Sequence, residues 1–160
     1  MSASELTPDK PHNPRQDLAV RRHQARVIAL QVLFEADMTD HSLHDVLDRQ
    51  ASDQDVTPVV RNHVVRLVNG VQTHREDIDE RIAVAAPAFP VDQLPLVDRN
   101  VLRIATYELL FENAVPSKAA INEAVEIAKR FGGPNASKFV NGALRTILGR
   151  IQGEREESHP

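Results

Sequence analysis

Residues 21–37 read RRHQARVIALQVLFEAD, and this stretch decides the fold. Ala25, Ile28, Ala29, Val32, Leu33 and Ala36 recur at the i, i+3, i+4, i+7 spacing of one helical face. A second apolar stripe, His23, Val27, Leu30 and Phe34, lies opposite the first. From Ala25 to Ala36 the only polar side chains are Arg26, Gln31 and Glu35. A helix apolar on two sides is either central in its domain or keeps one face for a partner. The spacing predicts a helix from about Asp17 to Met38.

The same period extends outward along the chain, and no convincing two-residue alternation interrupts it. Ser42, with Asp45 three residues on, resembles a capping box and predicts a second helix. Thr57-Pro58 predicts a third start, with Pro at the first helical position. Thr73 and Glu76 form another capping box, so a break near Val71–His74 is expected to open a fourth helix. AAPAFPVDQLP (Ala85–Pro95) cannot continue a helix through its prolines. Val97–Glu112, Ser117–Phe131 and a helix opened by Pro134-Asn135 complete the pattern. Gly132-Gly133 is expected to supply the positive φ of a C-cap. The result is an all-α fold of about seven helices in two packed sub-bundles, about 17–88 and 95–151. Residues 1–16, rich in Pro, Ser, Asn and Asp, read as a disordered arm, and residues 152–160 as a disordered tail.

Composition narrows the function. The 160-residue chain is 41% hydrophobic and 26% charged, as in ordinary globular proteins. No apolar run approaches the ~20 residues that span a membrane. The N-terminus has no apolar core of a secretory signal. With no cysteine there is no disulfide, thiolate nucleophile or Cys-type zinc site, which fits a cytoplasmic protein. No hydrolase, zincin, P-loop or dinucleotide motif is present. His41 and His44, among Asp37, Asp40, Asp45 and Asp48, are the one mixture suited to a divalent metal, and a solvated turn explains them more simply. Neither a catalytic residue nor a cofactor is therefore expected.

Two stretches point to anions. The net charge of -4 gives no general attraction to nucleic acid, so any such role needs a local basic patch. Arg21, Arg22, His23 and Arg26 gather near the start of the first helix, where the macrodipole opposes positive charge. They read either as a solvated turn, with stems covering apolar surface, or as a phosphate-binding cluster. GGPNASKF (Gly132–Phe139) places a glycine turn, a helix N-terminus and Lys138 together. Phe139 adjoins Val140, so one of the two points away from the core, where a ring can stack on a base. A plain inter-helix turn with Phe139 closing the bundle is the simpler reading of those residues alone.

RRHQARVIALQVLFEAD, DRNVLRIATYELLF and VPSKAAINEAVEIAKRFGGPNASKFVNGAL together resemble the NusB family of bacterial antitermination factors. The likeness covers roughly residues 20–150. It implies an all-helical, non-enzymatic RNA-binding factor that pairs with NusE, a small-subunit ribosomal protein. The pair would bind boxA RNA of nascent ribosomal transcripts and join the RNA polymerase antitermination complex. By matching motif positions, the resemblance implies RNA contacts at Arg21, Arg22, Arg26, Lys118, Asn135, Lys138 and Phe139. Asn135 stands where the family often has an acid, and Asp98 matches its partner-facing acid. Some members have a denser arginine run where this chain has His23 and Gln24. Some form homodimers that cover the RNA surface, and the Val27, Leu30, Phe34 stripe is apolar enough to permit one here. Arg22 and Lys138 are expected to open onto one face as two walls of an RNA site. The competing reading is a protein-only helical scaffold whose arginines meet an acidic protein.

Overall fold

The computed structural model describes residues 13–53 and 55–158. Among the described residues there are seven α-helices and no strand: α1 Pro14–Met38, α2 Leu43–Ala51, α3 Pro58–Thr73, α4 Arg75–Ala85, α5 Leu96–Phe111, α6 Ser117–Phe131 and α7 Ala136–Glu157. A 3-10 turn at Val91–Gln93 sits between α4 and α5, in the proline-rich segment.

Local chemistry sets most boundaries. Ser42 Oγ accepts from the Asp45 N–H at 3.1 Å, and Thr57 Oγ1 accepts from the Val60 N–H at 3.4 Å. Each satisfies a donor that the first turn would otherwise leave open. The break between α3 and α4 falls where expected, but Thr73 does not cap α4. His74 holds the cap position and makes no side-chain cap bond.

Both ends of the domain are more helical than expected. Asn13 caps α1 by accepting from the Arg15 N–H at 3.1 Å, with Pro14 following and Asp17 in the first turn. These are strong start signals, so residues 14–16 belong to the helix rather than to a disordered arm. Residues 1–12 lie outside the described residues. The expected disordered tail is also corrected, because α7 runs on to Glu157. Distant partners hold it there. Arg81 Nη2 donates to Glu154 Oε2 at 2.9 Å, and Arg155 Nη2 donates to the Leu109 carbonyl at 3.3 Å.

One apolar core runs through both halves of the chain. α5 is its centre, buried on nearly every side, with α1, α3, α4, α6 and α7 packed around it. α4 packs on α5 and α7, and α1 packs on both α3 and α5, so contacts bridge the boundary expected near residue 90.

Gly132 does not play the role its position suggests. Its φ is -93°, and no glycine among the described residues has positive φ. The requirement is steric. A Cβ there would lie 2.5 Å from Ala136 Cβ and 2.7 Å from the Ala128 carbonyl oxygen. Gly132 thus lets α6 and α7 meet in a tight corner. Gly132→Ala should force the start of α7 away and lower stability by about 1–3 kcal/mol, as overpacking does. Chemical denaturation would read this, and an unchanged midpoint would show that the corner tolerates the methyl group.

Candidate nucleic-acid interface

The arginines of α1 separate into two kinds. Arg21 is exposed and Arg22 partly so. Because α1 begins at Pro14, both lie beyond its first turn, where the macrodipole penalty has faded. Arg26 is different, with a relative exposure of 4%. Its Nε and Nη2 donate to Glu108 Oε1 and Oε2, each at 2.7 Å, and its Nη1 reaches Glu123 Oε1 at 3.4 Å. Burial opposes the charge, but the Glu108 bonds and the two carboxylate charges outweigh it and raise the Arg26 pKa. The RNA contact expected at Arg26 thus falls on a guanidinium already committed to Glu108 inside the protein. His23 Nδ1 lies 3.3 Å from Glu123 Oε2, so His23 joins the margin of the same network.

His63 of α3 faces this cluster. Burial, with the positive charges of Arg66, Arg26 and Arg22, lowers its pKa to about 4. His63 is therefore neutral at physiological pH.

At the start of α7, Asn135, Lys138 and Phe139 come together. With Ala85, Ala86 and Gly142 they line an open groove of about 410 Å³. Val140 is fully buried, while Phe139 is half-buried, with its inner side against the core. Lys138 and Asn135 are exposed, and Asn135 makes no side-chain cap bond at the start of α7. Lys118 lies elsewhere, at the start of α6, in a groove of about 460 Å³ shared with Asn122, Arg145, Gly149 and Gln152.

The two proposed walls do not form one compact site. Arg22 lies one turn before Arg26, which reaches Glu108 near the end of α5. Lys138 lies just after Ala136, in the corner where Gly132 approaches Asp98 near the start of α5. Ten residues of α5 separate those levels, about 15 Å at 1.5 Å per residue.

Asp98, expected to face a partner, is 6% exposed in the free chain. Burial raises its pKa, and its Oδ1 has no hydrogen-bond partner. The surface beside it is an apolar groove of about 540 Å³ lined by Val27, Phe34, Met38, Val97 and Phe131. Met38 and Phe131 are exposed at its rim.

The matched family model covers residues 23–149 and describes the NusB family. This chain belongs to the NusB family. The transcription antitermination protein NusB of Chloroflexus aggregans is 49% identical over 144 residues, covering 89% of this chain and 96% of that protein. The structure resembles T. maritima NusB with a TM-score of 0.76 at 36% identity, over 80% of this chain and 90% of that one. It also resembles a chain from a complex of the antitermination factors NusB and NusE with dsRNA. There the TM-score is 0.74 at 26% identity, over 82% of this chain and 98% of that one. Among the described residues, no group of three His, Asp or Glu side chains is placed to hold a metal ion, and His41 and His44 are exposed. No described helix is long and apolar enough to cross a membrane.

Sequence reasoning missed Glu108, His63 and Arg145. A single acid inside the buried run ATYELLF was a signal for Glu108, since a buried carboxylate needs a cation. Arg145 lies seven residues after Lys138, on the same helical face. His63 carried no sequence signal, because its surroundings come from two separate helices.

Arg26→Ala leaves Glu108 buried without its partner and should cost about 3–5 kcal/mol, whereas Arg22→Ala should stay within about 0.5 kcal/mol. Equal losses in denaturant melts would contradict the division. The His63 shift has a definite sign. Its folded pKa lies below the unfolded value of 6.5, so the unfolded chain binds more protons between about 6.5 and 4. Stability should therefore fall as pH drops through that window, and His63→Gln should flatten the slope. An NMR titration of His63 with a midpoint near 6.5 would remove the basis for this.

Proposed function

We propose that this NusB-family chain is a cytoplasmic, non-catalytic RNA-binding factor that acts with NusE in transcription antitermination on boxA RNA of nascent transcripts. The observation that carries the reading is the pairing of an anion-seeking helix start with a half-exposed ring, Lys138 and Phe139, in an open groove. The relatives bear the name transcription antitermination protein, and one structural neighbour is a NusB–NusE complex with RNA. In this reading Lys138, Lys118, Arg21 and Arg22 meet phosphates, Phe139 stacks on a base and Asn135 contacts the same strand. Phosphate contacts give affinity and position, while the ring and the amide act on the bases.

NusE takes the apolar groove along α1, between Phe34, Met38, Val97 and Phe131. Asp98 lies under one end of that groove, where a partner's donor would satisfy the unbonded Oδ1 if the corner opened. This makes RNA binding and partner binding two surfaces of one domain, and through them the chain would join the polymerase complex.

The tests are direct. With ~3–5 phosphates neutralised, affinity for a single-stranded boxA-like RNA should fall with salt at a log–log slope of about -2 to -3.5. A salt-independent affinity would sink the RNA reading. Phe139→Ala should weaken binding by ~1–3 kcal/mol, the usual loss of one stacked base. Met38→Glu changes an exposed residue, so the chain should fold normally while losing NusE. If RNA binding resisted charge reversal at Arg22 and Lys138 while a protein contact was lost, the protein-only scaffold would replace this reading.

A further inference from the structure

The outer stripe of α7 continues well past Lys138. Lys138, Gly142, Arg145, Gly149 and Gln152 follow one another at helical spacing, opposite the buried line of Val140, Leu144, Ile147 and Ile151. A Cβ at Gly142 or Gly149 would meet nothing within 4 Å, so no packing inside the protein requires either glycine. Glycine is also a poor helix former. Beside Gly149 the stripe opens into the groove of about 460 Å³ that α7 shares with Lys118 and Asn122 of α6.

Charge gives this groove its direction. Among the described residues, Arg26, Arg49, Arg66, Arg75, Arg81, Arg99 and Arg103 each have a carboxylate partner. Among the described residues Lys118, Lys138 and Arg145 have none, and Arg145 Nε donates to Asn141 Oδ1 at 3.1 Å. Lys138, Arg145 and Lys118 thus fall along one path, while Lys129, Arg130 and Arg150, also without a carboxylate partner among the described residues, line neither groove. That path starts at Lys138 and Phe139, passes Gly142 and reaches Arg145 and Lys118. Asn122 then adjoins Glu123, whose carboxylate borders His23 and Arg26 of α1.

We infer that the Arg145–Lys118 groove is a bridging subsite for single-stranded RNA, joining the Phe139 end to the Arg22 end. Arg145 and Lys118 hold phosphates on either side. The bare helix surface at Gly142 and Gly149 lets the sugar–phosphate chain lie close to α7. This explains how two sites about 15 Å apart along α5 can serve one strand: at about 3.4 Å per stacked nucleotide, roughly four to five nucleotides span the gap. The inference rests on the RNA-binding reading above.

The test uses the full chain with a single-stranded boxA-like RNA of about twelve nucleotides, long enough to cover the whole path at ~3.4 Å each. Arg145→Glu should weaken binding several-fold and reduce the salt slope by about 0.7, the loss of one phosphate contact. Arg150→Glu is the control, an equal charge change that lines a separate groove with Asp77, Glu80 and Arg81. Gly149→Leu adds bulk without charge at a position with open space, and it should melt no lower than the parent while binding RNA less tightly. If Arg145→Glu weakens binding no more than Arg150→Glu, or Gly149→Leu leaves affinity unchanged, the bridging subsite is wrong. A parent chain with no RNA affinity, alone or with NusE, would instead sink the RNA-binding reading itself.

Discussion

The structure depends on how α5 is pinned inside the bundle. An apolar helix between apolar neighbours can slide or rotate with little loss, but a buried charge must sit opposite its partner. Near its end, Glu108 of α5 receives both arms of the Arg26 fork from α1. Near its start, Arg99 and Asn100 donate to Asp37 Oδ2 of α1 at 3.1 and 3.0 Å. Arg103 donates to both carboxylate oxygens of Asp79 in α4, at 2.9 and 3.0 Å. These bonds fix α1 antiparallel to α5 at two levels and hold α4 against the same helix. Burying those charges has a desolvation cost, so their value lies in the unique register they impose.

That register decides which cations remain available. Arg22 and Arg26 are four residues apart on one helix and chemically identical, yet one faces solvent and the other is locked in the core. The difference lies in Glu108, eighty-two residues away from Arg26 in the chain. The cations left over lie on α1, α6 and α7, and all are carried by rigid helices rather than loops. Placing them on helices sets their spacing before any ligand arrives.

Local rules made most of the fold legible. The caps at Ser42 and Thr57, the break near His74 and the proline-rich connection all express short-range chemistry, and the α1 period was clear. Features set by distant partners were not readable. The last turns of α7, GEREE, look like tail because their support comes from Arg81 and the Leu109 carbonyl. Gly132 looked like a left-handed cap because the sequence cannot show Ala136 crowding it. At the candidate site, the placement of SKF at the start of α7 was legible, since a helix start and its next three residues are one local unit. The burial of Arg26 and Asp98 was not legible, because it is a property of α5 and its neighbours.

α1 carries a further consequence through its length. From Arg22 to Met38 it rises about 24 Å as one unbroken helix, with the exposed arginines before the apolar groove that runs along it from Val27 to Met38. A stiff strut of this kind holds two binding surfaces at a fixed distance. In the proposed reading, a partner that itself touches RNA would then present the strand at a high effective concentration. Cooperative assembly would follow from avidity alone, with no conformational signal passing through the protein.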